Sequence, residues 1–133
     1  MSLTTGTPAS TIGLRLGLAA SAAAVVNTAI AFAAAALDHG GIGMGLSPAA
    51  YLPATLAGVL AGAAGWTLIA RRAPQALRIV VPAVLALTWI PDLLLLTRDA
   101  TPANVAGLML MHLAVATAVV TAMRTHGRPA RAR

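Results

Sequence analysis

Residues 16–37 read LGLAASAAAVVNTAIAFAAAAL, twenty-two positions with neither a charge nor a proline. At about 1.5 Å per residue such a helix is roughly 33 Å long, enough to cross the roughly 30 Å hydrocarbon layer of a bilayer. Asp38-His39-Gly40-Gly41 ends the run, and outward from it the chain offers three more of the same kind. A glycine-rich loop over 40–47 leads through Pro48 into a second apolar stretch, 49–70, which stops at Arg71-Arg72. The third occupies 79–96, between Arg78 and Thr97-Arg98-Asp99. Thr101-Pro102 supplies an N-cap hydroxyl and a first-turn proline, a strong helix start, for the fourth stretch over 103–123. The pattern predicts an all-α integral membrane four-helix bundle over 12–124, with a disordered polar leader (1–11) before it and a basic tail (125–133) after it.

Of the 133 residues, 59% are hydrophobic and 9% charged, where soluble domains carry about 25% charged residues. A soluble fold of this length has too small an interior for so much apolar surface, whereas lipid solvates it directly. Cysteine is absent, which excludes disulfide frameworks, thiolate metal sites and thiol redox chemistry. All nine basic side chains are arginines, and with alanine filling the spans this bias points to a GC-rich, actinobacterial source. The net charge of +6 does not mark a nucleic-acid binder, because the arginines flank apolar spans instead of studding an amphipathic or aromatic surface.

Short cytoplasmic loops collect arginine and translocated loops do not. Arg15 precedes span one, Arg71, Arg72 and Arg78 lie between spans two and three, and Arg124, Arg128, Arg131 and Arg133 follow span four. Eight of the nine fall on one side, which predicts a multi-pass protein of the cell membrane with both termini in the cytoplasm. Tyr51 and Trp66, near the two ends of span two, are expected in the interfacial aromatic belts. Ala33 to Ala36 has the look of a signal-peptide cleavage site, but the apolar core before it exceeds the about 7–15 residues of a signal sequence, so the first span is expected to be retained.

The helix faces carry the packing signal. In span one Ala20, Ala23, Ala24, Asn27, Ala31 and Ala34 share one side at helical spacing, with Leu18, Val25 and Phe32 on another. Small residues let helices approach, so the Asn27 side is expected inside, and Gly58-x-x-x-Gly62 in span two repeats the device. That motif serves internal bundle packing or, alternatively, a homodimer.

Polar groups inside a span cost energy, about 2.5–3.5 kcal/mol for a charged side chain at the helix centre on insertion scales, so each needs an explanation. Asp92 follows Pro91 in the outer part of span three, with Thr88 one turn before it. His112 lies roughly 14 Å below the start of span four, and Asn27 reaches a similar depth from span one. Asp92, His112, Asn27 and Thr88 are therefore the candidate proton or ligand site. Structural alternatives stand beside this: His112 hydrogen-bonded to Asn27, Thr28 or a backbone carbonyl, and Asp92 capped by water, Thr88 or Arg98. Asp38 and His39 are adjacent in a loop, half of a metal site at most, and read as a helix terminus. No catalytic constellation, metal site or cofactor is expected.

Gly65-Trp66 ahead of Arg71-Arg72, the Pro91 break, and Leu110-Met111-His112-Leu113 at the centre of span four resemble the small four-helix membrane proteins of actinobacteria grouped as a family of unknown function. The resemblance covers about residues 12–124 and implies a four-helix fold in a membrane, with no activity or cofactor to carry over. Small multidrug exporters fit less well, since they need an acidic residue in the first helix, where this chain has Asn27. Four-helix haem proteins need paired axial histidines. The leading expectation is a non-enzymatic protein whose partners are the bilayer and either further copies of itself or another membrane protein. The alternative is a small proton-linked transporter or channel using Asp92 and His112.

Overall fold

A computed structural model describes residues 8–124. Four helices follow one another: α1 Pro8–Leu37, α2 Pro48–Arg72, α3 Leu77–Leu94 and α4 Pro102–Arg124, with short 3-10 turns at Pro74–Ala76 and Leu95–Thr97. Each is long and apolar enough to cross a membrane. Helices α2, α3 and α4 begin and end within a few residues of the boundaries expected from hydropathy.

Helix α1 differs. It starts at Pro8, eight residues before the apolar run, and so takes in residues 8–11 of the expected leader. Hydropathy marks where lipid begins, and nothing in Ser10-Thr11-Ile12 breaks a helix once proline has set its first turn. Residues 1–7 and the basic tail lie outside the described residues.

Successive helices run antiparallel, so α2 and α4 run in the same direction. Gly58 and Gly62 of α2 face Val115 and Val119 of α4 in constant register, a methyl at either glycine falling 3.0 Å from a valine carbon. The α1–α4 contact is the most extensive in the bundle. The two helices come close at Gly107, where a Cβ would lie 2.6 Å from that of Ala34. Ala23, Asn27, Ala31 and Ala34 line the buried side of α1 while Leu18, Val25 and Phe32 face outward. In lipid the helices gain little from hiding apolar area, and close backbone approach through small residues supplies dispersion contacts instead.

Two apolar clusters result. Ala31, Ala34, Leu46, Tyr51 and Met111 pack together toward the Asp38 end, and Val59, Ala63, Val119 and Met123 toward the arginine-rich end. Helix α3 adds no buried residue to either, its one buried side chain being Asp92.

The glycine-rich loop is fastened at its base. The Asp38 carboxylate accepts from the Gly43 backbone N–H at 2.9 Å and from the Thr101 hydroxyl, tying the end of α1 to the start of α4. Thr101 in turn caps α4 by accepting from the Asn104 N–H at 3.2 Å, as the Thr-Pro pair predicts. Asn104, fully buried, donates from its side chain to the Met44 carbonyl at 2.9 Å. Gly45 sits at φ +79°, a conformation that favours glycine.

Candidate functional site

Helix α4 touches all three other helices, whereas α2 and α3 diverge after the short link that joins them. The divergence leaves a cleft of about 560 Å³ walled by α2 and α3 and floored by α4. Gly58, Gly62, Val84, Leu85, Val115 and Val119 give it an apolar lining, with Trp66 near the arginine-rich end. Toward the other end its lining turns polar: Asn27, Tyr51, Thr55, Thr88 and His112 all contribute. Such a volume lies within the roughly 300–1,000 Å³ typical of small-molecule sites.

Of the four residues singled out in the sequence, Asp92 and His112 come together, with His112 Nδ1 at 2.9 Å from Asp92 Oδ2. In antiparallel helices each Cα–Cβ bond leans toward its own N-terminus, so the Asp92 side chain descends from α3 as that of His112 rises from α4. The same Nδ1 is 2.9 Å from the Leu108 carbonyl oxygen one turn back. One ring nitrogen therefore faces two oxygen acceptors, and of these only the Leu108 carbonyl is aligned for a hydrogen bond, leaving Asp92 Oδ2 without one. The partner of Asp92 is thus the histidine and not Thr88 or Arg98; the Thr88 hydroxyl turns back to donate to the Leu85 carbonyl at 2.7 Å. A threonine in a helix satisfies itself on its own preceding turn, which removes it as a cap for a neighbour one turn on. Alongside the pair, the Trp89 indole N–H donates to the Met109 carbonyl at 3.2 Å, a hydrogen bond between α3 and α4.

Asn27 does not reach His112. Its amide nitrogen donates to Thr55 Oγ1 at 2.7 Å across the α1–α2 interface. Thr55 donates to the Tyr51 carbonyl at 2.7 Å, and the Tyr51 hydroxyl to Thr28 Oγ1 at 3.1 Å. Tyr51 is accordingly buried, 5% exposed, and not part of an interfacial belt. Thr55 was not singled out from the sequence, while Thr28 was expected as a partner of His112 and instead receives the Tyr51 hydroxyl. The signal was there: Tyr51 and Thr55 are one turn apart on α2, and Asn27-Thr28 supplies the matching polar pair on α1.

Pro91 lies inside α3 and removes the donor for the Leu87 carbonyl one turn before Asp92. Pro53 and Pro82 also lie inside their helices, each at the sixth residue from the start. His39 is exposed, and among the described residues no group of three or more His, Cys, Asp or Glu is gathered.

Residues 7–129 match a single family over nearly the whole chain. The chain belongs to DUF6069, a family of unknown function. The DUF6069 match spans all four helices and every residue lining the cleft. No curated protein and no solved structure matches the chain. For this DUF6069 member the chemistry of the cleft is therefore what carries a functional argument.

Proposed function

We propose that the chain is a non-enzymatic, multi-pass protein of the cell membrane, of actinobacterial type, oriented with its arginine-rich end toward the cytoplasm. It acts by association within the bilayer, and the place of association is the cleft between α2 and α3. The observation that carries this reading is the divergence of those two helices over a floor of α4, which leaves about 560 Å³ of apolar and partly polar space inside a four-helix fold. A bundle selected only for its own packing would close α3 onto α2. Instead α3 stands off, held at its far end by the Asp92–His112 contact and the Trp89–Met109 bond.

A photo-reactive amino acid at Ala61, which lines the cleft, tests the reading in native membranes. The expected product is a defined adduct, with a small membrane molecule or a second polypeptide, absent when the same group replaces Phe32 on the outward side of α1. Identical bulk-lipid labelling at both positions rejects the cleft as the associating site.

One observation favours a second reading, a proton-linked transporter or channel: the Asp92–His112 contact at 2.9 Å, with His112 also lining the cleft. Proteoliposomes with an imposed pH gradient should then show a flux that Asp92→Asn or His112→Ala abolishes. A tight, non-conducting bilayer ends that reading.

A further inference from the structure

The polar lining of the cleft has an unusual balance of hydrogen-bond donors and acceptors. The Tyr51 hydroxyl proton is committed to Thr28, that of Thr55 to the Tyr51 carbonyl and that of Thr88 to the Leu85 carbonyl. Because the Thr55 proton is spent, Thr55 Oγ1 can only accept from Asn27. That fixes the amide orientation, with the nitrogen toward Thr55 and Oδ1 left over. Asn27 is 1% exposed and its Oδ1 has no partner among the described residues. At His112 the Leu108 carbonyl only accepts, so Nδ1 carries the ring proton. In the neutral ring Nε2 is then a bare lone pair. Of these five side chains only Asn27 keeps a spare donor, the second N–H of its amide, and the others present acceptors alone. Among the described residues no arginine lines the cleft, and the indole donor Trp66 is roughly 16 Å from Thr55 along α2.

We infer that the cleft binds an amphiphile whose apolar body lies along the valine-lined half and whose small head supplies hydrogen-bond donors, a hydroxyl or a primary ammonium, to His112 Nε2 and Asn27 Oδ1. This rests on the cleft being the associating site. A carboxylate or phosphate head would find at most that one N–H, set its other lone pairs against lone pairs, and meet no cation among the described residues lining the cleft. A quaternary ammonium carries charge but no N–H to give. The Asp92 carboxylate behind His112 favours the ammonium over the hydroxyl by through-ring electrostatics.

The geometry also suggests the probe. In the parallel α2–α4 register Trp66 lies level with Met123, roughly 16 Å beyond His112, about the length of an extended twelve-carbon chain. Full-length protein carrying Trp89→Phe, in phosphatidylcholine nanodiscs, keeps Trp66 as its single tryptophan, excited selectively at the red edge of its absorption. It is titrated with four ω-brominated dodecyl amphiphiles bearing amine, alcohol, carboxylate or trimethylammonium heads. The expected result is quenching by the amine and the alcohol at about tenfold lower mole fraction than by the other two, as for one well-made hydrogen bond. Asn27→Leu and His112→Phe should each bring that ratio close to one. Amine stronger than alcohol, with the difference lost in Asp92→Asn, supports the ammonium; equal potency supports the hydroxyl. Carboxylate as potent as alcohol, with Ala61→Phe still blocking all four, overturns the donor-head inference and leaves the cleft reading standing. Quenching that neither head group nor Ala61→Phe changes overturns both.

Discussion

Along α1 and α4 the two backbones approach until one methyl group would not fit, Gly107 against Ala34, and the buried side chains that α1 brings are alanines and one asparagine. Helix α3 meets the same α4 at the reach of Trp89 and Asp92, buries no apolar residue, and presents Ile79, Leu87 and Ile90 outward. The first contact is made by backbone proximity and dispersion, the second by polar bonds at a distance. A contact of the first kind cannot open by degrees, because sub-ångström gaps already forfeit much of the dispersion energy. One of the second kind can lengthen or exchange partners, and it is the one that bounds the cleft.

Substitution at the tight seam should give the largest loss. Gly107→Leu forces an isobutyl group into the Ala34 backbone and is expected to cost about 3 kcal/mol or more, toward the top of the overpacking range. Thermal unfolding in detergent micelles checks it, and an unshifted midpoint would mean that α1 and α4 are not apposed there. Next comes the α2–α4 register, where Gly58→Leu with Gly62→Leu must displace Val115 and Val119. A loss of about 2 kcal/mol, with disturbed assembly, is expected for the pair. Unchanged stability and assembly would count against the packing.

The α3 contact should yield less. Asp92→Ala is expected to lower stability by only about 1–2 kcal/mol, the scale of interhelical polar bonds in membranes. Its signature is local: disulfide cross-linking between cysteines placed at 84 and 115 should fall as α3 swings outward, while cross-linking between cysteines placed across the α1–α4 seam away from Gly107 stays as it was. Equal loss at both pairs would erase the contrast between the two contacts. Smallest of all, Ile79→Ala on the outward face of α3 should change stability by no more than about 0.5 kcal/mol. A larger effect, seen in lipid but not in dilute detergent, would reveal that something other than lipid covers that face.

The family match and the four apolar helices agree with what hydropathy and the residues around Trp66, Pro91 and His112 suggest. The site was legible only in part. Asp92 and His112 were recognisable because an ionisable group in a span costs energy and must be accommodated, and the short connection made α3 and α4 neighbours. Asn27 stood out on the same ground, yet its partner did not, because Thr55 and Tyr51 look like ordinary helix residues until a facing helix is placed against them. Thr88 drew notice by its position and turned out to be spent on its own backbone.

By itself, the sequence determined the number of spans, their ends to within a turn except at the start of α1, the small-residue side of α1, and the Thr-Pro start of α4. These depend on one helix and its solvent: length against bilayer thickness, apolar periodicity, and local capping. The tertiary structure alone decided that α4 is the central helix, that α1 and α4 come close at Gly107, that Asp92 meets His112, and that α2 and α3 part to leave a cleft. Each of these is a relation between two helices. In a bilayer every apolar face is equally at ease against lipid or protein, so hydrophobicity ranks no pairing above another, and the choice falls to shape and to a few hydrogen bonds that appear only when the helices are side by side.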